Sequence, residues 1–241
     1  MNTLPPACWS TQWLGMEISV FATGDDSPQS LADAAAVLND EEKSRAARFH
    51  FAADRERWMR SRALLRRTLS VRLGTDPSGL QFITAANGKP ALMQKAFGMI
   101  GSADESAEGN LRIPLEFNLS HSGSFAAIAV STEPVGVDIE AWKEDLPVAD
   151  LAAHEFRKDE SAAIGNSSEP HLLFYRLWTA KEAVMKCTGL GLSLPPASIQ
   201  IHGDPGFGNC TALRLDVQEA FDVLIHDIPG VWALSASRRA E

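Results

Sequence analysis

No stretch of this chain is apolar for long enough to cross a bilayer, which takes about 20 consecutive hydrophobic residues. Met1 to Ser10 also lacks the basic start and following apolar run of a secretory signal. A cytoplasmic protein with no membrane partner is the expectation. Cysteine is scarce too. Cys8, Cys187 and Cys210 are far apart, odd in number and without a Cys-x-x-Cys pair, so neither a disulfide framework nor a thiolate metal site is indicated. Positive charge is in deficit: 22 Lys and Arg against 31 Asp and Glu give a formal net charge of -9. That argues against bulk attraction to nucleic acid and requires any anion site to be local. Neither a GxxxxGK[ST] loop nor a kinase-like Gly-rich loop is present, which argues against a nucleotide-driven kinase or ATPase.

The 241 residues, 45% of them hydrophobic, suffice for a substantial core in one large domain or two closely packed lobes. A local anion site is suggested by Lys43, Arg45, Arg48, Arg55, Arg57, Arg60, Arg62, Arg66, Arg67 and Arg72, which face only Asp54 and Glu56 in the same stretch. The alternative is a solvated helix face with surplus arginine. Asn39 followed by Glu42 has capping-box character and predicts a helix through Arg48. A second helix is predicted from about Asp54 to Leu73 before Gly74, with Trp58, Leu64, Leu65, Leu69 and Val71 on its apolar face and the arginines opposite. A strand at Leu80 to Thr84, a turn at Asn87-Gly88 and a mobile loop from Gly101 to Asn110 follow.

Strands are then expected at Phe117 to Leu119, Phe125 to Val130 and Val135 to Ile139. A helix over His171 to Cys187 ends near Gly189, and strands follow near 198–201, 212–217, 221–225 and 231–235. The pieces FAAIAVS (Phe125 to Ser131) and VWALSAS (Val231 to Ser237) are alike. Together these features predict an α+β fold of two similar, pseudo-symmetric lobes, residues 1–132 and 133–241, with a cleft at their interface.

Chemistry concentrates in three segments. In Gly136-Val137-Asp138-Ile139-Glu140, strand alternation puts Asp138 and Glu140 on one face. They are either the oxygen ligands of a hard cation, magnesium or calcium, or a solvent-facing acidic edge. In Trp178-Thr179-Ala180-Lys181-Glu182-Ala183-Val184-Met185-Lys186, helical spacing brings Glu182 and Lys186 to one face, as a functional pair or as an ordinary surface ion pair. In Phe117-Asn118-Leu119-Ser120-His121-Ser122-Gly123, a strand runs into a turn rich in hydroxyl, imidazole and amide donors, chemistry suited to phosphate. His121 could equally be a partly buried histidine with satisfied partners. Gly88-Lys89-Pro90 adds a lysine on a turn.

Taken in order, these elements closely resemble the longer, two-lobed branch of the 4'-phosphopantetheinyl transferase family, from about Asp40 to Leu194. The resemblance implies coenzyme A in the cleft and a magnesium ion at Asp138, Glu140 and Glu182. It implies coenzyme phosphate contacts from Arg45, Arg57, Lys89, Ser120 and His121, with Lys186 on the pyrophosphate. The implied substrate is a serine of an apo acyl or peptidyl carrier protein, in fatty-acid, polyketide or nonribosomal peptide synthesis, and a monomer suffices. A carboxylate or a metal-bound water would take the serine proton, with Glu182 the first candidate for the base. Glu160, in Phe156-Arg157-Lys158-Asp159-Glu160, is a second candidate for that role, or an ordinary helix-surface charge. The rival from another class is a basic-face module that binds an acidic protein or nucleic acid without catalysis.

Overall fold

The computed structural model describes residues 4–24, 27–84, 89–93, 115–206, 208–228 and 232–240. The Asn87-Gly88 turn and the Gly101 to Asn110 loop lie outside them. The chain opens with a hairpin of β1 (Trp9–Trp13) and β2 (Met16–Ala22). Its two-residue turn has positive φ at both Leu14 and Gly15, the backbone twist that a tight hairpin favours. Neither strand was expected, nor was α1 (Pro28–Val37), which Ser27 caps by accepting the Ser30 amide.

The capping box predicted at Asn39 is present. Its side chain accepts the Glu42 amide while Glu42 accepts the Asn39 amide, opening α2 (Asp40–Ala46). The long α3 (Ala52–Leu73) stops at Gly74, whose φ of 62° is the left-handed conformation that a helix end uses. The short pair β3 (Phe82–Thr84) and β4 (Pro90–Leu92) precedes β5 (Glu116–Ser122) and β6 (Phe125–Ser131).

The second half begins with β7 (Val135–Ala141), followed by α4 (Val148–Glu155), α5 (Lys158–Asn166) and α6 (Pro170–Thr188). Gly189, with φ 74°, ends α6. Four strands close the chain: β8 (Ile199–His202), β9 (Gly208–Arg214), β10 (Glu219–Ile228) and β11 (Trp232–Arg239). Among the described residues, no helix is long and apolar enough to cross a membrane.

The strands form two antiparallel sheets, ordered β1-β2-β6-β5 and β7-β11-β10-β9-β8, and the separate β3-β4 pair. The predicted pseudo-symmetry is visible in that order. In each half the opening strand (β2 or β7) and a later strand (β5 or β10) flank a central one (β6 or β11). The two look-alike sequence pieces are those central strands.

Each sheet carries its own long helix. Leu64, Leu65 and Leu69 of α3 pack with Phe21, Phe117 and Ile128, and Ala180, Val184 and Met185 of α6 pack with Ile199, Phe221 and Val223. A third cluster joins the halves: Met16, Ile18, Val20, Ala127 and Ala129 meet Val135, Val137, Ile139, Leu234 and Ala236. The lobes therefore share one core.

The polarity expected of α3 needs correction at Val71, which is 65% exposed, and at Arg60 and Arg66, which are buried. Arg66 is fully enclosed, at 0% exposure. Its guanidinium donates to Glu42 Oε2 at 2.7 Å and to the carbonyls of Pro77 and Leu80 at 2.6 and 3.1 Å. A buried cation is tolerable only with such partners.

Candidate active site

A close approach of β7 to α6 at Gly136 sets the site. A Cβ on Gly136 would fall 1.9 Å from the Ala183 carbonyl oxygen and 2.6 Å from the Cys187 amide nitrogen. Both obstacles are backbone, so only glycine lets β7 lie this close to α6. Ala183 and Cys187 each follow a candidate site residue, so the same contact brings Glu182 and Lys186 towards Asp138 and Glu140. Further back on the same helix, Trp178 stacks on Phe174 at 5.8 Å, beside Phe156.

Asp138 is almost wholly buried, at 2% exposure, which rules out a solvent-facing acidic edge for it. Its Oδ1 accepts from Lys186 Nζ at 2.6 Å and from the Ser120 hydroxyl at 2.8 Å. Its Oδ2 is buried and has no hydrogen-bond partner among the described residues. Lys186 Nζ also donates to Ser120 Oγ at 3.1 Å. Glu140 Oε2 accepts the Ser122 hydroxyl at 2.8 Å.

Burial pushes the Glu140 carboxyl above its ordinary value, and the charges of Asp138 and Glu182 push it further. The Glu182 carboxyl is likewise raised, first by burial and then by Asp138, with Lys186 opposing. The three carboxyl groups thus feel one another's charge, and one ammonium does not balance them. Among the described residues, no three His, Cys, Asp or Glu side chains gather closely enough to hold a metal ion. Lys186 occupies one Asp138 oxygen.

Beside this cluster, His121 is held below its usual value by desolvation and by the nearby Lys186 and Arg57 charges. Arg57 Nη1 reaches Asp54 at 3.1 Å. His121 also lines a cavity of about 350 Å³ with Arg45, Arg48, Trp58, Arg62 and Phe82. The Arg45 guanidinium lies 5.4 Å from the Trp58 ring centroid, and that of Arg62 lies 3.8 Å from Phe82. Cations interleaved with ring faces suit a ligand that is anionic and partly flat.

Not every expected residue joins this group. The Lys89 amine donates to the Val135 carbonyl at 2.9 Å. There burial lowers its pKa, opposed by Cys187 and Glu116. Ser120 Oγ is engaged by Asp138, Lys186 and, at 3.4 Å, the Ile139 amide. Glu160 is a buried carboxylate rather than a helix-surface charge. It pairs with Lys181 Nζ at 2.8 Å and accepts the Arg157 amide at 3.2 Å, and among the described residues it makes no bond to the Asp138 cluster. Lys181 also donates to the Pro196 and Ile199 carbonyls.

The basic segment is less one-sided than its composition suggests. Arg62 and Arg66 both engage Glu42, Arg72 pairs with Glu17, and Arg67 donates to the Asp33 carbonyl. What the segmental count missed were acids and acceptors supplied by other elements. Phe82 and Ser122 were also missed as site residues. Ser122 lay within the phosphate-friendly turn, but its partner Glu140 could not be paired with it by local spacing.

A two-lobed α+β chain with carboxylates and lysine at the lobe junction, beside a cavity walled by Arg45, Arg48 and Arg62 together with Glu41 and Glu42, has the makings of an enzyme that handles phosphate-linked groups. Comparison with known proteins narrows this. Residues 25–133 match the family model described as 4'-phosphopantetheinyl transferase, N-terminal, and residues 134–227 match that of the 4'-phosphopantetheinyl transferase superfamily. The 4'-phosphopantetheinyl transferase HetI of Nostoc sp. is 34% identical over 75% of this chain and 72% of its own length. The 4'-phosphopantetheinyl transferase Sfp of Bacillus subtilis is 30% identical, over 69% and 68%. The L-aminoadipate-semialdehyde dehydrogenase-phosphopantetheinyl transferase of Xenopus laevis is 29% identical, over 71% and 56%. The chain belongs to the 4'-phosphopantetheinyl transferase family. Its activity is transfer of the phosphopantetheine group from coenzyme A to a carrier protein.

Proposed function

We propose that the two halves of the chain divide this reaction between them. Residues 1–132 grip the coenzyme's phosphates through Arg45, Arg57 and His121, while residues 133–241 supply Asp138, Glu140, Glu182 and Lys186 for the transfer. The observation that carries the reading is the Asp138–Lys186–Ser120 contact, with Glu140 and Glu182 near enough for their carboxyl groups to feel its charges. An all-oxygen donor set, the unpartnered Asp138 Oδ2 and the mutual repulsion of the carboxyl groups fit a hard cation, with Asp138, Glu140 and Glu182 as its holders. Magnesium bound there would offset negative charge on the pyrophosphate as the leaving group departs.

The carrier serine is too weak an acid to ionise unaided near neutrality. Its hydroxyl proton passes to Glu182, the carboxylate that α6 brings to the cluster. The serine oxygen bonds to the β-phosphorus of coenzyme A, the pyrophosphate P–O bond breaks, and 3',5'-adenosine bisphosphate leaves. Lys186 neutralises charge on the pyrophosphate, a task of electrostatics and positioning.

Three residues take supporting roles in this reading. Ser120 aligns Asp138 and Lys186, Lys89 steadies the start of β7, and Glu160 fixes Lys181 and through it the rotation of α6. Ser120 Oγ and the Lys89 amine are engaged within the fold, and Glu160 commits Oε2 to Lys181 and the Arg157 amide while its buried Oε1 has no hydrogen-bond partner among the described residues. One chain supplies both sides of the cleft, so it works as a monomer, in the cytoplasm. Nucleic acid has no part, because much of the arginine face is occupied internally.

The direct test is intact-mass measurement of apo carriers of the fatty-acid, polyketide and peptide-synthesis types after incubation with the chain, coenzyme A and magnesium. A gain of about 340 Da on a serine is expected from transfer of the phosphopantetheine arm. No gain on any of the three would contradict the reading.

A further inference from the structure

The two sheets end against each other at β5 and β7, and no backbone ladder joins those edges. Side chains do so instead. Asn118 Oδ1 accepts the Val137 amide at 3.0 Å, Ser120 Oγ the Ile139 amide at 3.4 Å, and Ser122 Oγ the Ala141 amide at 3.1 Å. The period of two on both strands, at a constant offset of 19 residues, makes this a parallel comb. It satisfies the exposed donors of the β7 edge, which would otherwise be left unpaired at the junction.

The three teeth differ in one respect. A carboxamide oxygen can only accept, whereas a hydroxyl accepts and donates at once. Ser120 and Ser122 use the second capacity. Each donates to the carboxylate just before the amide it accepts, Asp138 for Ser120 and Glu140 for Ser122, both at 2.8 Å. Asn118 has no carboxylate to hold.

From this arrangement we infer that Ser122 is the positioning residue for Glu140. Its hydroxyl clamps the carboxylate to the β7 backbone, so that lobe contact and ligand orientation are set by one atom. Glu140 has no lysine at hydrogen-bond distance to do for it what Lys186 does for Asp138. Ser122 is thus its sole side-chain hydrogen-bond partner among the described residues. The inference rests on the carboxylate reading of the cation site. Removing a group that orients a metal ligand weakens metal binding by about tenfold to a hundredfold.

The test titrates magnesium calorimetrically into the full chain saturated with coenzyme A, alongside amide hydrogen exchange at Val137 and Ala141. Ser122→Ala should bind magnesium about tenfold or more weakly, with faster exchange at Ala141 and a retained cooperative unfolding transition, and Ser122→Thr should restore the affinity and the protection. Asn118→Ala should speed exchange at Val137 while leaving magnesium affinity within about twofold, because it opens the comb without releasing a carboxylate. Equal losses of magnesium affinity in Ser122→Ala and Asn118→Ala would reduce Ser122 to a seam contact and overturn the inference. Unchanged affinity in Ser122→Ala overturns it alone, whereas no magnesium binding by the unaltered chain overturns the cation reading as well.

Discussion

Cys187 follows Lys186 on α6, buried, with its sulfur 3.2 Å from the Pro134 carbonyl. Burial pushes the thiol up to about 11 from 9.0, opposed by Lys89. The folded chain therefore keeps this proton where the unfolded chain has lost it. The resulting stabilisation is complete below pH 9 and disappears as pH rises through about 11. Two pH units correspond to about 2.7 kcal/mol. Lys89, lowered by burial, titrates with the opposite sign, but it is present in the variant too. Denaturant unfolding between pH 8 and pH 11 should therefore give Cys187→Ala a flatter decline in stability, by about 2 kcal/mol, than the unaltered chain. Parallel curves would mean that the thiol is not protected in the fold. At this scale, Asp138, Glu140, Glu182 and Lys186 were legible because strand and helix periods place them without knowledge of the fold. Arg66 and Glu160 were not, because Glu42 and Lys181, their partners, lie 24 and 21 residues away on other helices.

Among the elements, β7 and α6 form the pair on which the site depends, and Gly136 is where they touch. Gly136→Ala must displace the α6 backbone, since the obstructing atoms belong to Ala183 and Cys187. Overpacking of this kind costs about 1–3 kcal/mol. The helix that moves carries Glu182 and Lys186, so kcat/KM should fall by a larger factor than the lost stability explains. A denaturation curve beside a steady-state transfer assay reads both quantities. A stable variant with undiminished kcat/KM would show that the close approach does not align the site. Helices with strong end signals were readable in advance: Asn39 with Glu42 opens α2, and Gly74 and Gly189 close α3 and α6. The hairpin of β1 and β2 was not. β1 alternates only partly buried Trp9, Thr11 and Trp13 with polar residues, and its Leu14-Gly15 turn lacks the Asn-Gly signature that marks such turns in sequence. In α3 the period was right but the polarity was not. Acceptors contributed from α2 and the segment at Pro77 to Leu80 draw Arg66 inward.

For the molecule as a whole, the repeated order of opening strand, long helix and central strand accounts for the placement of the site. Each half covers its sheet with its own helix, and the faces left over share one core. The junction is therefore one packed unit, while the edges β5 and β7 bring the Ser120 and Ser122 hydroxyls to the Asp138 and Glu140 carboxylates. Loose likeness between Phe125 to Ser131 and Val231 to Ser237 was enough to suggest two lobes. It could not indicate that side chains, rather than a backbone ladder, stitch them together. The central claim is that the junction carboxylates perform the transfer, and Glu182 tests it most directly. With the fold verified by an unchanged melting temperature, the rate at which Glu182→Gln adds phosphopantetheine to an apo carrier should fall by about 10²–10⁴, the span attributable to a lost general base. Transfer within tenfold of the unaltered rate would contradict it.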